Sequence, residues 1–351
     1  MTYLAKPRLH HPSLTPNRVG YTRRDYEGRV STLCAGCGHD SISAAIVQAC
    51  WELDIEPHRV AKLSGIGCSS KTPDYFLGAS HGFNTVHGRM PSVLTGANLA
   101  NRDLLYLGVS GDGDSASIGL GQFANAMRRG VRMAYLVENN GVYGLTKGQL
   151  SASADVGTRP KKGEANVVAP IDPILLGLSL GATFLARSFS GDKEQLIPIL
   201  KAAVAHNGLA LIDVISPCVT FNDHEGSTKS YRFMREHELK EVVADFIPER
   251  EEINARLSGG GRRSVTMHDG SVITFRSVPE GYDPTDRMAV ESYVREHQST
   301  GEVVTGLLYL DETKPSMHQV NHTPPSALNR LTFDAVCPGS AALAELMADF
   351  R

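Results

Sequence analysis

The chain has 351 residues, 41% hydrophobic and 21% charged, which is the composition of a globular protein and excludes a disordered, collagenous or disulfide-scaffold one. Lys and Arg number 35 against 38 Asp and Glu, so a net charge of −3 calls for neither nucleic acid nor an acidic membrane surface. Apolar runs stop at about eight residues, far short of the ~20 that span a bilayer, and no signal peptide is read; a cytoplasmic chain is expected.

Residues 1–30 hold Pro7, Pro12 and Pro16 and six Lys or Arg against Asp25 and Glu27. They read as an extended arm, either laid over a partner or disordered. From 31 to 225, strand-like and helix-like stretches alternate. A helix capped by Asp40 or Ser41 runs to Leu53, with Ile42, Ala45, Ile46 and Ala49 on one face. Val60–Ser64 is a short strand and Leu104–Ser110 a buried one. Ala116–Arg129 is a helix closed by Gly130. Met133–Val137 is the next strand, Ile171–Leu180 and Lys193–Ala205 are helices, and Leu209–Ile215 is a strand stopped by Pro217. Such alternation predicts a doubly wound α/β fold with a mostly parallel sheet, which takes its ligands at the carboxyl ends of the strands. The remainder, 226–351, carries 14 basic and 19 acidic residues and reads as a C-terminal extension. Gly259–Gly261 is a loop there, and Asp269-Gly270 is the turn of a hairpin between Val265–His268 and Ser271–Phe275.

Two turns carry chemistry. Val109–Ala116 reads Val-Ser-Gly-Asp-Gly-Asp-Ser-Ala between a strand and a helix. Gly111, Gly113 and Ala116 fit a dinucleotide-binding pattern, G-x-G-x-x-A. Asp112 and Asp114 beside a pyrophosphate are repulsive unless a cation intervenes, so the turn suits a Mg²⁺-diphosphate better. After the next strand comes Glu138-Asn139-Asn140-Gly141-Val142-Tyr143, which puts Asp112 and Asn140 at one sheet edge as oxygen ligands for a hard cation.

Six cysteines are too sparse for a disulfide framework, and in a reducing compartment they are thiols, metal ligands or catalysts. Cys34-Ala35-Gly36-Cys37 precedes a helix, while Cys68 and Cys218 each follow a strand. Four thiolates from three loops at one edge suit Zn²⁺ or a [4Fe–4S] cluster, and spacing does not separate the two. Cys50, within a helix, and Cys337 read as packing residues. His206 and His224 have no metal-binding spacing.

Gly-Asp-Gly, 25 residues, then Asn-Asn is similar to the diphosphate-binding motif of thiamine diphosphate enzymes. The longer stretches GDGDSASIG and ENNGVYGLTKGQ, with CAGCGH, GIGCSSK and the late SPC, resemble the β subunits of 2-oxoacid:ferredoxin oxidoreductases. The resemblance is dense over about 31–225 and returns between Tyr282 and Tyr309. It implies a thiamine diphosphate-binding domain over 31–225, and subunit contact and active-site cover from 226–351. It implies Mg²⁺ on Asp112, Asn140 and the Val142 carbonyl, and a [4Fe–4S] cluster on Cys34, Cys37, Cys68 and Cys218. Ile66, Gly67, Cys68, Ser69, His87, Gly111, Gly113, Asp114, Gly144 and Leu145 would face the thiamine cofactor. Lys71 would meet a substrate carboxylate, His87 and Arg89 belong to an HGR signature near thiamine or substrate, and Lys147 covers the mouth of the site. The implied reaction decarboxylates a 2-oxoacid oxidatively, passes acyl to coenzyme A and electrons through the cluster to ferredoxin. An α, or fused γα, subunit supplies the glutamate that activates the cofactor, so the chain alone would be inactive. 2-Oxoglutarate is the favoured substrate, with pyruvate and branched 2-oxoacids as alternatives. A non-redox thiamine decarboxylase or carboligase, a zinc-stabilised binding subunit, and an NAD(P) dehydrogenase using Glu138 are the rival readings.

Overall fold

The computed structural model describes residues 13–160, 163–248, 263–267, 270–277, 279 and 281–350. In chain order the strands are β1 (Val60–Ser64), β2 (His81–Asn84), β3 (Leu105–Gly111), β4 (Met133–Asn139), the short pair β5 (Val142–Tyr143) and β6 (Gln149–Leu150), β7 (Phe184–Phe189), β8 (Leu209–Ile215), β9 (Glu238–Ile247), β10 (Arg263–Thr266), β11 (Val272–Ser277) and β12 (Val303–Leu310). The helices are α1 (Gly38–Glu52), α2 (Met90–Ala100), α3 (Leu120–Arg129), α4 (Pro173–Ser179), α5 (Lys193–Ala205), α6 (Tyr231–His237) and α7 (Arg287–Ser299), followed by α8 (Met317–Val320), α9 (Phe333–Val336) and α10 (Gly339–Ala348).

Every residue of β1, β4, β7 and β8 is buried, so both faces of the sheet are covered there, as a parallel sheet between helices requires. The sheet runs β10-β11-β9-β12-β7-β8-β4-β3-β1-β2. The six strands from β2 to β7 are parallel. The chain goes out to β2, returns past β1 to β3 and β4, then skips a place to β7 and comes back to β8. This is a doubly wound α/β fold. The register pairs Gly111 with Glu138 and Asn139 with Ile215, so the ends of β3, β4 and β8 are level. Asp112, Asn140 and Cys218 therefore leave the sheet at one edge.

The segment beyond 225 continues this sheet. β12 lies antiparallel on β7, β9 is parallel to β12, and the expected hairpin is present as β10 against β11, Thr266 opposite Val272. Gly270 holds the turn at φ +82°, while Asp269 and Gly259–Gly261 lie outside the described residues. The arm reading needs correction for residues 17–29, which pack on the chain's own α1 and, at Gly28 and Arg29, on the backbone of Asp74 and Tyr75. Tyr26 is fully buried, Asn17 Nδ2 donates to the Tyr26 hydroxyl and to the Trp51 carbonyl, and Trp51 Nε1 donates to the Tyr21 carbonyl. Cys50 packs in the core, but Cys337 is exposed and does not pack. The helix expected from Ala116 opens instead with a π-wound turn, Gly113–Ile118, whose Gly119 N–H reaches back to the Asp114 carbonyl at 2.9 Å. The turn packs tightly on the loop at Gly88, where an added Cβ would stand 2.7 Å from the Gly119 nitrogen. No helix among the described residues is long and apolar enough to cross a membrane.

Candidate active site

Asp112 follows β3 directly and Asn140 follows β4. The Asn140 N–H points at Asp112 Oδ1 from 3.5 Å, and the Val142 N–H donates to Asn140 Oδ1 at 3.1 Å. Asp112 is buried, and its other oxygen accepts the hydroxyls of Ser151 and of Ser153, the latter at 2.5 Å. Burial pushes its carboxyl above the ordinary value, with the two serines pulling the other way. No ion pair reaches Asp112 among the described residues. The nearby Lys229 ammonium also favours the charged form of Asp112 but is itself paired with Asp155, so a buried carboxylate in no direct ion pair, beside an amide oxygen, is an oxygen donor set that fits a hard divalent cation.

The cleft above this pair is lined by Ile66, Gly67, Cys68, Ser69, Gly111, Asp112, Gly113, Asp114, Asn140, Val142 and Gly144, together with His39, Glu138 and Tyr143. Its free volume is about 20 Å³, room for a single water. The Tyr143 ring explains this, because it lies over Gly113 and donates its hydroxyl to the Gly113 carbonyl at 3.2 Å. A diphosphate on Gly113 would displace that ring.

Asp114 lines the cleft, and its carboxylate also ties two loops to β3. Oδ1 accepts the N–H of Gly88 at 2.6 Å and of Ile66 at 3.4 Å and the His87 imidazole, while Oδ2 accepts the Ser110 hydroxyl at 2.6 Å. Only glycine fits at 65, where a Cβ would meet Asp114 Oδ2 at 1.9 Å. His87 is thereby held through Nδ1 with its ring edge-on to Tyr143 at 6.1 Å. Arg89 turns away, exposed, to Gln122 on α3 and lines no part of the cleft. Lys71 closes the short turn after Cys68 and makes no ion pair among the described residues. Leu145 and Lys147 stand exposed on the same loop, Lys147 at φ +79°.

The cysteine loops meet beside this cleft. A Cβ on Gly144 would touch the sulfurs of both Cys68 and Cys218, at 3.3 and 3.7 Å. Cys37 caps α1, its N–H bonded to the Cys34 carbonyl, and the Gly38 N–H reaches the Pro217 carbonyl. Cys34 is exposed and accepts the Thr220 hydroxyl at 3.5 Å. Burial raises the Cys37 thiol to about 12, and the charges of Glu138, Cys218 and Cys68 add to this. Cys68 is raised by burial and by Cys218. Among the described residues no three His, Cys, Asp or Glu close on a single point as they would around one metal ion. A cubane cluster asks for something else, four soft thiolates at separate corners, and the donor set suits it.

Glu138 and His39 lie inside motifs legible in the sequence, but their roles at this edge are not, and Ser151 and Ser153 gave no sequence signal. Glu138 is fully buried, accepts the Thr72 hydroxyl at 2.8 Å and leaves Oε1 without a partner, so burial holds its carboxyl well above the ordinary value. His39 bonds Ser216 at 2.6 Å. Ser151 and Ser153 come from a loop 39 residues or more beyond Asp112. The dehydrogenase reading needed Glu138 at the surface for a ribose, and its burial removes that role.

The thiamine pyrophosphate enzyme C-terminal TPP-binding domain matches residues 65–214. The 2-oxoacid:ferredoxin oxidoreductase subunit beta of Saccharolobus solfataricus is 40% identical over 243 residues, 68% of this chain and 79% of that one. The 2-oxoglutarate oxidoreductase subunit KorB of Mycobacterium tuberculosis is 39% identical over 220 residues, 60% of this chain and 58% of that one. Among solved structures, the 2-oxoglutarate:ferredoxin oxidoreductase from Magnetococcus marinus, with 2-oxoglutarate, coenzyme A and succinyl-CoA bound, matches with a TM-score of 0.69 and 30% identity, over 89% of this chain and 91% of that one. A carboxylate-and-amide pair at the ends of β3 and β4, with cysteine loops around it, thus sits in a thiamine pyrophosphate-binding domain, and the chain belongs to the β subunits of the 2-oxoacid:ferredoxin oxidoreductases.

Proposed function

We propose that this chain holds Mg²⁺ on Asp112, Asn140 and the Val142 carbonyl, and a [4Fe–4S] cluster on Cys34, Cys37, Cys68 and Cys218, next to its thiamine diphosphate. Bound there, thiamine diphosphate would supply a nucleophilic carbon and an electron sink, and the cluster a one-electron carrier. The chain's own groups bind and orient. Gly111, Gly113 and Gly144 leave backbone open for the diphosphate, with Ile66, Gly67, Ser69 and Leu145 beside it. Lys71 offers an ammonium to a substrate carboxylate. His87, steered by Asp114, holds a ring nitrogen at the rim, and Tyr143 keeps water off Gly113 until the cofactor displaces it. An α, or fused γα, subunit completes the site, coenzyme A takes the acyl group and ferredoxin the electrons, in the cytoplasm. Residues 226–351 serve subunit contact and cover of the site.

2-Oxoglutarate, converted to succinyl-CoA, is the substrate best supported, by the name of the Mycobacterium relative and by the ligands of the Magnetococcus enzyme. The observation that carries the whole reading is Asp112, a buried carboxylate in no ion pair among the described residues, beside Asn140 at the edge where the cysteine loops meet. Anaerobic purification with analysis of iron, sulfide, thiamine and magnesium tests it. Iron and sulfide in equal amounts at the stoichiometry of one cubane, lost in Cys218→Ala and kept in Cys50→Ala, are expected. One zinc and no iron would overturn the cluster assignment.

A further inference from the structure

Asp112 is held from behind by a line of buried groups that the reaction itself does not use. The Ser153 hydroxyl lies 2.5 Å from Asp112 Oδ2 and 2.8 Å from Asn139 Oδ1, and its one proton is shared between these two acceptors. Asn139 Nδ2 donates to Asp213 Oδ1 at 2.9 Å. Arg187 closes the line, donating from Nε to Asp213 Oδ2 at 2.9 Å and from Nη2 to Asp172 Oδ2 at 2.7 Å. Asn139, Asp213 and Arg187 are all buried, and behind them opens a cavity of about 590 Å³ that Asn139, Ser153, Arg187 and Asp213 help to line.

An asparagine amide has an acceptor end and a donor end, and only one orientation suits the carboxylate beside it here. The Asp213 carboxylate accepts but does not donate, so Asn139 must turn its NH₂ towards β8 and its oxygen towards Ser153. The Asn139 carbonyl is meanwhile fixed by the Ser216 N–H at 2.8 Å. Pinned at both side chain and backbone, Asn139 sets the direction in which Asn140 leaves β4, and through Ser153 the direction of Asp112.

We propose that Asp213 is a positioning residue for the cation site, acting through Asn139 and Ser153 on Asp112 and Asn140. The role rests on the assignment of Mg²⁺ to those two residues. Groups behind metal ligands commonly change metal affinity by 10–100-fold when removed. The test measures calorimetrically how Mg²⁺ supports thiamine diphosphate binding to the full chain. Asp213→Asn is expected to weaken Mg²⁺ about 10-fold or more, while iron content and visible absorption stay as in the wild type. Asp172→Asn breaks the same arginine pair from the far side, keeps the helix cap and does not touch Asn139; it is expected to lower the melting temperature with Mg²⁺ affinity unchanged. Ser153→Ala, which leaves the ion pairs whole, is expected to weaken Mg²⁺ as well and decides the matter if Asp213→Asn does not fold. Wild-type affinity in Ser153→Ala, or in a folded Asp213→Asn, overturns the proposal, as does an equal loss of affinity in Asp172→Asn. Thiamine diphosphate binding by the wild type with no dependence on Mg²⁺ instead overturns the cation assignment, and this role with it.

Discussion

Replacing Gly65 with alanine is expected to be one of the most damaging single-methyl additions in this chain. The new Cβ would stand 1.9 Å from Asp114 Oδ2 and 2.6 Å from its carboxyl carbon. A relaxed carbon–oxygen contact is about 3.4 Å, so the carboxylate must retreat by about 1.5 Å. It cannot do so alone, because it accepts Ser110 and Gly88 at 2.6 Å each and the His87 ring besides. Hydrogen bonds to a charged group are worth about 1.5–3 kcal/mol each, so losing two while the carboxylate stays buried costs about 3–6 kcal/mol. The assay is urea unfolding at neutral pH, followed by circular dichroism, with Gly96→Ala as the matched control. Gly96 lies inside α2 with nothing within 4 Å of an added Cβ, so that variant should gain about 0.5–1 kcal/mol. A loss below about 1 kcal/mol in Gly65→Ala would mean that Asp114 is not the fixed hub described, and the argument from its hydrogen bonds fails.

Arg187→Met leaves Asp213 buried without counter-charge and is expected to cost about 3–5 kcal/mol. Burial alone would raise the Asp172 carboxyl, but Arg187 and the Leu175 and Ile174 amides hold it below the ordinary carboxylate value. That contribution is fully present above the ordinary value and is lost as pH falls through the depressed one, so unfolding midpoints of wild type and variant should converge in acid; parallel profiles would refute the pairing. Lys62 points the other way. Its ammonium donates to the carbonyls of Phe76 and Leu77, and burial pulls it down to about 8. An unfolded lysine keeps its proton to about 10.4, so between the two values the unfolded chain binds more protons and stability gained from this group rises with pH. The stability of wild type relative to Lys62→Met should therefore climb by as much as about 3 kcal/mol between pH 8 and 10.4, and a flat difference would show that the site does not desolvate the ammonium.

What the sequence reveals of this fold depends on how locally each element is determined. β8 and α5 are legible to the residue, since LALIDVI is a continuous apolar run and α5 is bracketed by Asp192, which caps it, and by the turn after Ala205. β2 leaves no pattern, because all four of its residues are exposed at the sheet edge. β7 hides behind Arg187, a charge that only its two aspartates make tolerable in a buried strand. β12 is obscured by the acidic composition after 226, which suggests a separate layer when the pairing partner lies more than a hundred residues earlier. At the site, Asp112, Asn140, Cys68 and Cys218 stand out because each follows a strand, and Cys37 because it follows a glycine turn three residues after Cys34. The direction in which a carboxylate turns is not encoded in spacing, so nothing in the sequence says that the oxygens of Asp114, which lines the cleft, are taken up by Ile66, His87, Gly88 and Ser110. Ser151, Ser153 and Asp213 reach the site only through tertiary folding, and nothing near them in sequence marks them.

The antiparallel seam between β7 and β12 also bears on how the chain is made. Until residues 303–310 have left the ribosome, the outer edge of β7 has no strand to cover it, although every other strand of the parallel sheet has already been synthesised. An apolar strand with a row of unpaired N–H and C=O groups is a template for another chain. Synthesis at about 5–20 residues per second leaves that edge bare for several seconds. A fragment ending at 225 would keep it bare for good, so the cofactor-binding half of this chain is not separable from its last third without an aggregation-prone edge.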